Sequence, residues 1–444
     1  MAKEIYKFEH GFLAVEEDGF SRNHFQLLEK YLEKQKKSYL FETSYRNNKP
    51  GIKFNSYVGV ITVKDLTIYV LPKADKDAKE ETDSEKKSNN EKLWQDRLTF
   101  MLSQVYKLKV QTTAPANLKW RPNVLLNIFL KKFLDEVAVL LNRGLIKTYR
   151  KTDGNRTALK GKLLFNKQIA VNCVHQERFY VRYTTYDYNH ILNRIIRQAL
   201  LAIHDITNSS DIKGRATSTL FNFPELDEIA VTPELFSRLI FDRKSEDYRN
   251  VIKLAEMILL NYSPDLHHGN NHVWTLMFDM NKLWEEFVYV TLKRKLTGCT
   301  VMAQKQKTLW ESDNNRKTVR ADIVVKNNDG KIFVLDTKWK MPRYDGKIVP
   351  SDADLHQMYV YLDVYGDNSI GEETGKAQKV ALLYPGKQSA VVEGKFVVKP
   401  NNSVAQCDML FLPVDKCPAQ DDGKAESQNW QDAMANHISK WLES

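Results

Sequence analysis

Two apolar runs flanking an Asn-Asp-Gly turn place the strongest constraint on this chain. Arg320-Ala321-Asp322-Ile323-Val324-Val325 precedes the turn, and Lys331-Ile332-Phe333-Val334-Leu335-Asp336-Thr337-Lys338 follows it. Both runs have strand composition, and a three-residue loop at Asn328-Asp329-Gly330 predicts an antiparallel hairpin with Gly330 at the positive-φ position. In that register Asn327 faces Lys331, so Asp322 faces Asp336. Side chains alternate faces along a strand, which puts Lys338 on the face of Asp336. A loop one residue longer would send the two acids to opposite faces.

Two carboxylates and an ammonium on one patch form a set with defined chemistry. Hard oxygen ligands such as Asp322 and Asp336 suit Mg²⁺, which keeps several waters that a substrate phosphate can displace. Bound Mg²⁺ lowers the pKa of water and stabilises charge on phosphoryl oxygens. Lys338 is placed to orient an attacking water or to stabilise transition-state charge. The Asp-x-Lys pattern alone is short and frequent. A surface hairpin with ordinary solvated charges has the same pattern, so the rest of the chain has to decide between them.

At 444 residues the chain exceeds one ordinary core, and two or three domains are expected. No apolar run has the length to span a bilayer, and Met1-Ala2-Lys3-Glu4-Ile5-Tyr6-Lys7 lacks the apolar core of a secretion signal. Cys173, Cys299, Cys407 and Cys417 are widely spaced, with no Cys-x-x-Cys. That spacing points to neither zinc nor a disulfide framework and fits a reducing cytoplasm. No G-x-x-x-x-G-K-[ST] and no G-x-S-x-G occurs, so no nucleotide is expected on a P-loop of this chain. The net charge of +10 suits a polyanionic partner as well as plain solubility.

Residues 1–92 are expected to form a β-containing N-terminal unit. Ser21 is placed to cap a helix carrying Phe25, Leu28 and Leu32. Tyr57–Val63 and Leu66–Leu71 read as strands joined at Lys64-Asp65. Tyr45-Arg46-Asn47-Asn48-Lys49-Pro50-Gly51 is a polar loop between helix and hairpin. Residues 73–92 contain no Leu, Ile, Val or aromatic residue and read as a flexible insertion. Residues 93–265 read as a mainly helical, basic middle region. Its helices run over Leu125–Leu141 and Leu192–Ile206. From Arg143 to Arg182 ten cations stand against Asp153 and Glu177, with Tyr149, Phe165, Phe179, Tyr180 and Tyr183 interleaved. Arg150, Lys151, Arg156 and Lys160 are the expected DNA contacts there; a solvated face is the other reading. Residues 266–444 return to an α/β pattern. His267, His268 and His272 surround a Gly-Asn-Asn loop, which reads as surface rather than a metal site.

Two helices flank the hairpin in sequence. Leu276–Leu296 carries Met280, Leu283, Trp284, Phe287 and Val288 as its apolar stripe, with Glu285 and Glu286 in the middle of it. Either one acid points toward the metal or both are solvated. After the hairpin, Asp354–Leu362 holds Gln357 and Tyr361 four residues apart on one face. An amide and a phenol there are placed to hold Lys338, a phosphate or a water. Acidic helix, Asp, Asp-x-Lys and Gln-x-x-x-Tyr, in that order, are specific together where each alone is weak.

This order resembles the PD-(D/E)xK nuclease superfamily in its RecB-like branch. More narrowly, the chain is similar to the McrC family, the nuclease subunit of GTP-dependent modified-cytosine restriction systems. The resemblance runs from Val58-Gly59-Val60-Ile61 and Leu71-Pro72-Lys73 through Gly144-Leu145 and Leu159-Lys160-Gly161-Lys162-Leu163. It continues through Arg178-Phe179, Leu192-Asn193-Arg194 and Met280-Asn281-Lys282-Leu283-Trp284-Glu285-Glu286-Phe287 into the hairpin. It implies a multidomain α+β chain ending in an α/β PD-(D/E)xK nuclease domain. Asp322 and Asp336 would bind Mg²⁺, which Mn²⁺ is able to replace. Lys338 would serve the attacking water, Glu285 would be the helix acid, and Gln357 would support the site. Ala321 stands where the family usually has proline; proline there restricts backbone and supplies no ligand. The implied partners are double-stranded DNA and an McrB-like AAA+ GTPase ring, with no membrane. The N-terminal region would enter the ring, and Arg46, Asn47, Asn48 and Lys49 are its expected contact. A non-cleaving adaptor of the ring and a free-standing repair nuclease are the alternatives.

Overall fold

The computed structural model describes residues 3–35, 39–73, 84–106, 123–207, 209–260, 262–263, 273–312, 315–344, 347–365, 379–386, 389–396, 405–414 and 425–443. His267, His268 and His272 lie outside them. The chain forms two compact units, one of Met1–Pro122 with Met277–Ser444 and one of Asn123–Leu276. Mixed α and β structure runs through both.

The first unit opens with strand Lys3–Phe8, which lies parallel to Leu66–Leu71; Tyr57–Val63 pairs antiparallel with the same strand. Lys64 takes a left-handed φ of 53° in the tight turn at Lys64-Asp65. The helix spans Arg22–Gln35, and the Ser21 hydroxyl accepts from the His24 amide at 3.4 Å as its cap. Leu28 is fully buried, and the neighbours that share its buried face are His24 and Tyr31. The polar loop at residues 45–51 is for the most part strand. Phe41–Arg46 and Lys49–Phe54 form a hairpin with Arg46 opposite Lys49. Its two turn residues, Asn47 and Asn48, have φ of 50° and 58°. Positive φ at both central positions is the type I′ geometry that fits strand twist, and asparagine adopts it at low cost.

The expected flexible insertion ends earlier than its composition suggested: a helix spans Ser84–Tyr106. Lys and Glu, frequent in this stretch, are good helix formers that extend a helix anchored further along. Leu98, Met101 and Leu102 supply that anchorage.

The second half of this unit is built on a mixed sheet. Its order is Cys299–Ser312, Asn315–Asn327, Ile332–Thr337, Lys379–Gly386, Ala405–Pro413, Ala390–Val392. The first three strands are antiparallel neighbours; Ile332–Thr337, Lys379–Gly386 and Ala405–Pro413 run parallel. Helix Asp352–Val364 occupies the crossover between the first two parallel strands, which a parallel connection requires. It buries Met358, Tyr361 and the following Tyr365 against Val324, Val334, Val380, Leu382 and Met409. Helix Met280–Lys295 begins four residues later than expected. Val273–Asp279 is a strand instead, and the Asp279 carboxylate caps the helix through the Asn281 amide at 3.0 Å. The apolar stripe Met280, Leu283, Trp284, Phe287 and Val288 is buried as the periodicity predicts.

The second unit contains helices Asn123–Arg143, Ile191–Ile206, Ser210–Phe221 and Arg249–Leu260. The basic stretch lies on a three-stranded antiparallel sheet, with Phe179–Asp187 between Thr148–Arg156 and Lys162–Leu163. Alternation of Val181 and Tyr183 inward with Arg182 and Thr184 outward explains why this stretch is strand and not helix. No described helix is long and apolar enough to cross a membrane.

Candidate active site

The hairpin adopts the expected register. The Asn327 amide donates to Lys331 O at 3.1 Å, Gly330 has φ of 82°, and the ladder pairs Lys326 with Ile332 through Ile323 with Leu335. One step further, Asp322 and Asp336 lie on the same face. The ladder between them is replaced by side-chain bonds: the Thr337 amide and hydroxyl both donate to Asp322 Oδ2 at 2.9 Å.

Asp336 is 1% exposed. Its Oδ1 has no hydrogen-bond partner, and Oδ2 lies 2.6 Å from Lys338 Nζ. Burial and then the Asp322 charge push its carboxyl pKa up, and Lys338 only partly offsets them. Burial draws the Lys338 ammonium down, but Asp336, with Asp354 and Asp322 behind it, outweighs burial and leaves it raised. Lys338 therefore keeps its proton at neutral pH.

Glu285 joins the same field from helix Met280–Lys295. Its pKa is pushed up to about 7, by burial first and then by Asp322, with Arg320 pulling the other way. Gln304 donates its side-chain amide to Glu285 Oε1. Gln304 sits across from Asp322, at the position the ladder skips between Ala303–Ile323 and Lys305–Ala321. Its φ of 52° is left-handed, a conformation that costs a residue with a Cβ about 1–2 kcal/mol.

The Gln-x-x-x-Tyr helix closes the other side. Gln357 Oε1 accepts from Lys338 Nζ at 3.0 Å, and Gln357 Nε2 donates to the Tyr361 hydroxyl at 2.7 Å. Tyr361 in turn donates to Arg320 O at 2.7 Å. A lysine is thus held by an amide, the amide by a phenol, and the phenol by the strand that carries Asp322.

Several residues of this cluster gave no sequence signal. Asp354 Oδ1 lies 3.8 Å from Lys338 Nζ, and its Oδ2 lies 2.6 Å from Lys340 Nζ. Tyr365 accepts from the buried Ala321 amide at 2.9 Å and donates to Lys305 O, fixing the residue before Asp322. Trp339 donates to Glu9 Oε1 at 2.6 Å, tying the end of the Asp-x-Lys strand to the first strand of the chain. Asp354, on the face of Gln357 and Tyr361 at helical spacing, was the one that spacing could have found.

The donor set fits a hard divalent cation. A buried carboxylate oxygen lacks a partner, and two acids are raised by burial and by a third, a strain that a cation relieves. Among the described residues no group of three or more acidic, imidazole or thiol side chains is placed to hold a metal ion together, which leaves Asp322 and Asp336 as the pair. Such partial protein ligation suits Mg²⁺, which retains water.

The other expected contacts are carried by other elements of the chain. Arg46, Asn47, Asn48 and Lys49 form an exposed hairpin tip, with Tyr45 beside it 76% exposed. In the second unit, Arg150 is ion-paired to Asp227 at 3.0 Å and Asp187 at 3.3 Å. Arg156 donates to the Tyr183 hydroxyl, and Lys160 lies 5.6 Å from the centre of that ring. Lys151 is exposed.

These features define a chain of mixed α/β units that presents a buried aspartate and two half-buried acids, with a lysine held beside the buried one. Residues 52–385 match the family of McrBC 5-methylcytosine restriction system components, and the chain belongs to that family. It is similar to the type IV methyl-directed restriction enzyme EcoKMcrBC of Escherichia coli strain K12. The two are 24% identical over 295 residues, covering 64% of this chain and 83% of that protein. Its fold matches a chain in a refined half-complex from a tetradecameric assembly of Thermococcus gammatolerans McrB AAA+ hexamers with bound McrC. That match has a TM-score of 0.55 at 19% identity and covers 98% of this chain and 99% of the other.

Proposed function

We propose that this chain is the McrC-type nuclease subunit of its restriction system, a PD-(D/E)xK endodeoxyribonuclease of the RecB-like branch acting on duplex DNA. The observation that carries the reading is the buried Asp336 paired with Lys338, which Gln357 holds, with Asp322 raising both the Asp336 and the Glu285 carboxyl. Asp322 and Asp336 would hold Mg²⁺, or Mn²⁺ in its place, and the bound ion supplies the positive charge that a phosphodiester transition state requires. The protein's part is positioning. Thr337 orients the Asp322 carboxylate, and Gln357 orients Lys338. Lys338 would orient the attacking water or donate to a phosphoryl oxygen in the transition state.

The test is cleavage of modified duplex DNA by the chain with its partner and Mg²⁺. Asp336→Ala and Lys338→Ala each lower turnover by about 10³-fold or more, the scale of losing a transition-state contact, while partner binding is retained. Undiminished cutting by either variant would falsify the nuclease assignment and leave an adaptor role. Removing the metal with EDTA abolishes cutting, and Mg²⁺ restores it.

The same reading gives the chain an AAA+ GTPase partner, in line with the McrB hexamers of the Thermococcus assembly. The stiff type I′ tip at Arg46–Lys49 is the proposed contact, with Arg46 completing or reorganising the GTPase site. Arg46→Ala, or a Gly-Ser replacement of residues 46–49, lowers stimulated GTP hydrolysis at saturating chain concentration. Full stimulation by the replacement puts the contact elsewhere. The second-unit sheet, through Lys151, Arg156 and Lys160, is the proposed DNA-holding surface.

A further inference from the structure

The strand that carries Asp322 is longer than the sheet beneath it. It pairs with Ile332–Thr337 only over Ile323–Lys326, whereas its pairing with Cys299–Ser312 continues out to Ser312 opposite Asn315. Beyond Asp322 the hairpin is a two-stranded arm. From Asp322 to Arg316 it reaches ~20 Å at the usual strand rise. Its base is fixed: the Tyr365 hydroxyl binds the Ala321 amide, Lys305 O and Val319 O, and Val319 packs on the core.

One face of the arm continues the face of Asp322. By alternation it holds Arg320, Thr318 and Arg316, with Gln306 opposite Arg320 and Thr308 opposite Thr318. Gln306 donates to the Thr318 hydroxyl at 2.6 Å, and Arg316 donates to the Thr308 hydroxyl at 2.6 Å. Arg316, Thr318, Arg320 and Gln306 are exposed. Neither arginine takes part in an ion pair among the described residues, although Glu311 stands opposite Arg316 near the tip. A ladder irregularity between Thr308 and Trp310 marks the start of the tip, where Leu309 and Trp310 are exposed.

We propose that this face of the arm binds the phosphate backbone of duplex DNA and leads one strand from Arg316 past Arg320 to the carboxylates. The proposal rests on the nuclease reading for its direction. Its chemistry is that of the face itself. Unpaired guanidinium groups match phosphate oxygens as two-pronged donors, and threonine hydroxyls and glutamine amides are common phosphate contacts. An acidic protein surface is the competing occupant, and it predicts no change in DNA affinity.

The experiment uses the full chain in EDTA, so that no DNA is cut, and a fluorescent duplex titrated at several salt concentrations. Arg316→Ala with Arg320→Ala is compared with Lys307→Ala and Lys317→Ala, which removes the same charge from the arm's other face. The first pair is expected to weaken binding about ten-fold and to flatten the log–log salt slope by about two, one for each lost phosphate contact. The second pair stays within about two-fold. Arg316→Lys with Arg320→Lys recovers most of the salt slope, which separates lost charge from a disturbed arm. Equal losses from both faces, or unchanged binding by the first pair, overturn the proposal. Cleavage by the wild-type chain and Asp336→Ala, measured with Mg²⁺ in parallel, tests the nuclease reading separately.

Discussion

Two antiparallel strand pairings in this chain are dense in charge, and they handle it in opposite ways. On the second-unit sheet, charges meet their counter-charges. Arg182 donates through Nε and Nη2 to Asp153, its direct cross-strand partner, at 2.7 and 2.9 Å. Arg150 is shared between Asp187 and Asp227. The Asp153 carboxyl is held below its usual range, chiefly by the hydrogen bond from Arg182. On the Asp322 hairpin, like charges are pressed together. Asp336 is buried with a free oxygen, and both it and Glu285 are pushed up by burial. Compensated charge is structure that solvent screens to a small net value. Buried like charge that one lysine only partly offsets is costly to keep, and such strain is concentrated at functional sites.

The sharpest way to break this contrast is to loosen the lysine without touching the acids. Gln357→Ala removes the Oε1 acceptor from Lys338 and the link to Tyr361. Cleavage is expected to fall about 10–100-fold, the range seen when a group that orients a metal-site residue is lost. The fall lies in turnover, with DNA affinity unchanged. Gln357→Glu keeps an acceptor and recovers part of the rate. A Gln357→Ala enzyme with wild-type turnover would mean that Asp336 alone holds Lys338.

A smaller effect is expected one layer further out. Tyr365→Phe leaves the Ala321 amide, fully buried, without its acceptor and releases Lys305 O. An unsatisfied buried donor costs about 1–3 kcal/mol. Thermal unfolding of the variant should begin lower by a few degrees, and cleavage should fall because Asp322 follows Ala321 directly. Unfolding and activity that both match wild type would remove Tyr365 from the account of the site.

Much of the acid cluster was legible in the sequence because it depends on local rules. A three-residue turn fixes which residues face each other, and a four-residue interval fixes which helical side chains share a face. Those two rules brought Asp322 to Asp336 and Gln357 to Tyr361. The rest depends on contacts that neither rule reaches. Gln304 binds Glu285 only because its own backbone turns left-handed where the ladder skips. Glu9 meets Trp339 from the opposite end of the chain. The pairing of the basic stretch was not legible for a related reason. The span from Arg143 to Arg182 holds ten cations and two acids, but Asp187, Asp227 and Asp247, which pair with Arg150 and Arg143, lie outside it. Pairing is decided by register and by long-range packing, and a running count of charge contains neither.

The ion pairs of Arg150 set the smallest expected effect. If the second-unit sheet holds DNA, its cations do not contribute equally. Lys151 is exposed and in no ion pair among the described residues, whereas Arg150 is already bound to two carboxylates. Bringing a phosphate to Arg150 means competing with Asp187 and Asp227, so little counterion is released there. Lys151→Ala should therefore weaken duplex binding about two- to five-fold and lower the salt slope by about one. Arg150→Ala should leave the slope nearly unchanged. Combining Arg150→Ala, Lys151→Ala and Arg156→Ala should lower the slope by about two rather than three, because one of the three charges is spent within the fold. Titration of a labelled duplex across salt concentrations measures all three variants. A full unit lost at Arg150 would show that its ion pairs open on binding and that the two sheets differ less than their apo geometry indicates. No change in any variant would assign this sheet to a protein partner or to solvent, and leave the Asp322 hairpin as the DNA-facing part of the chain.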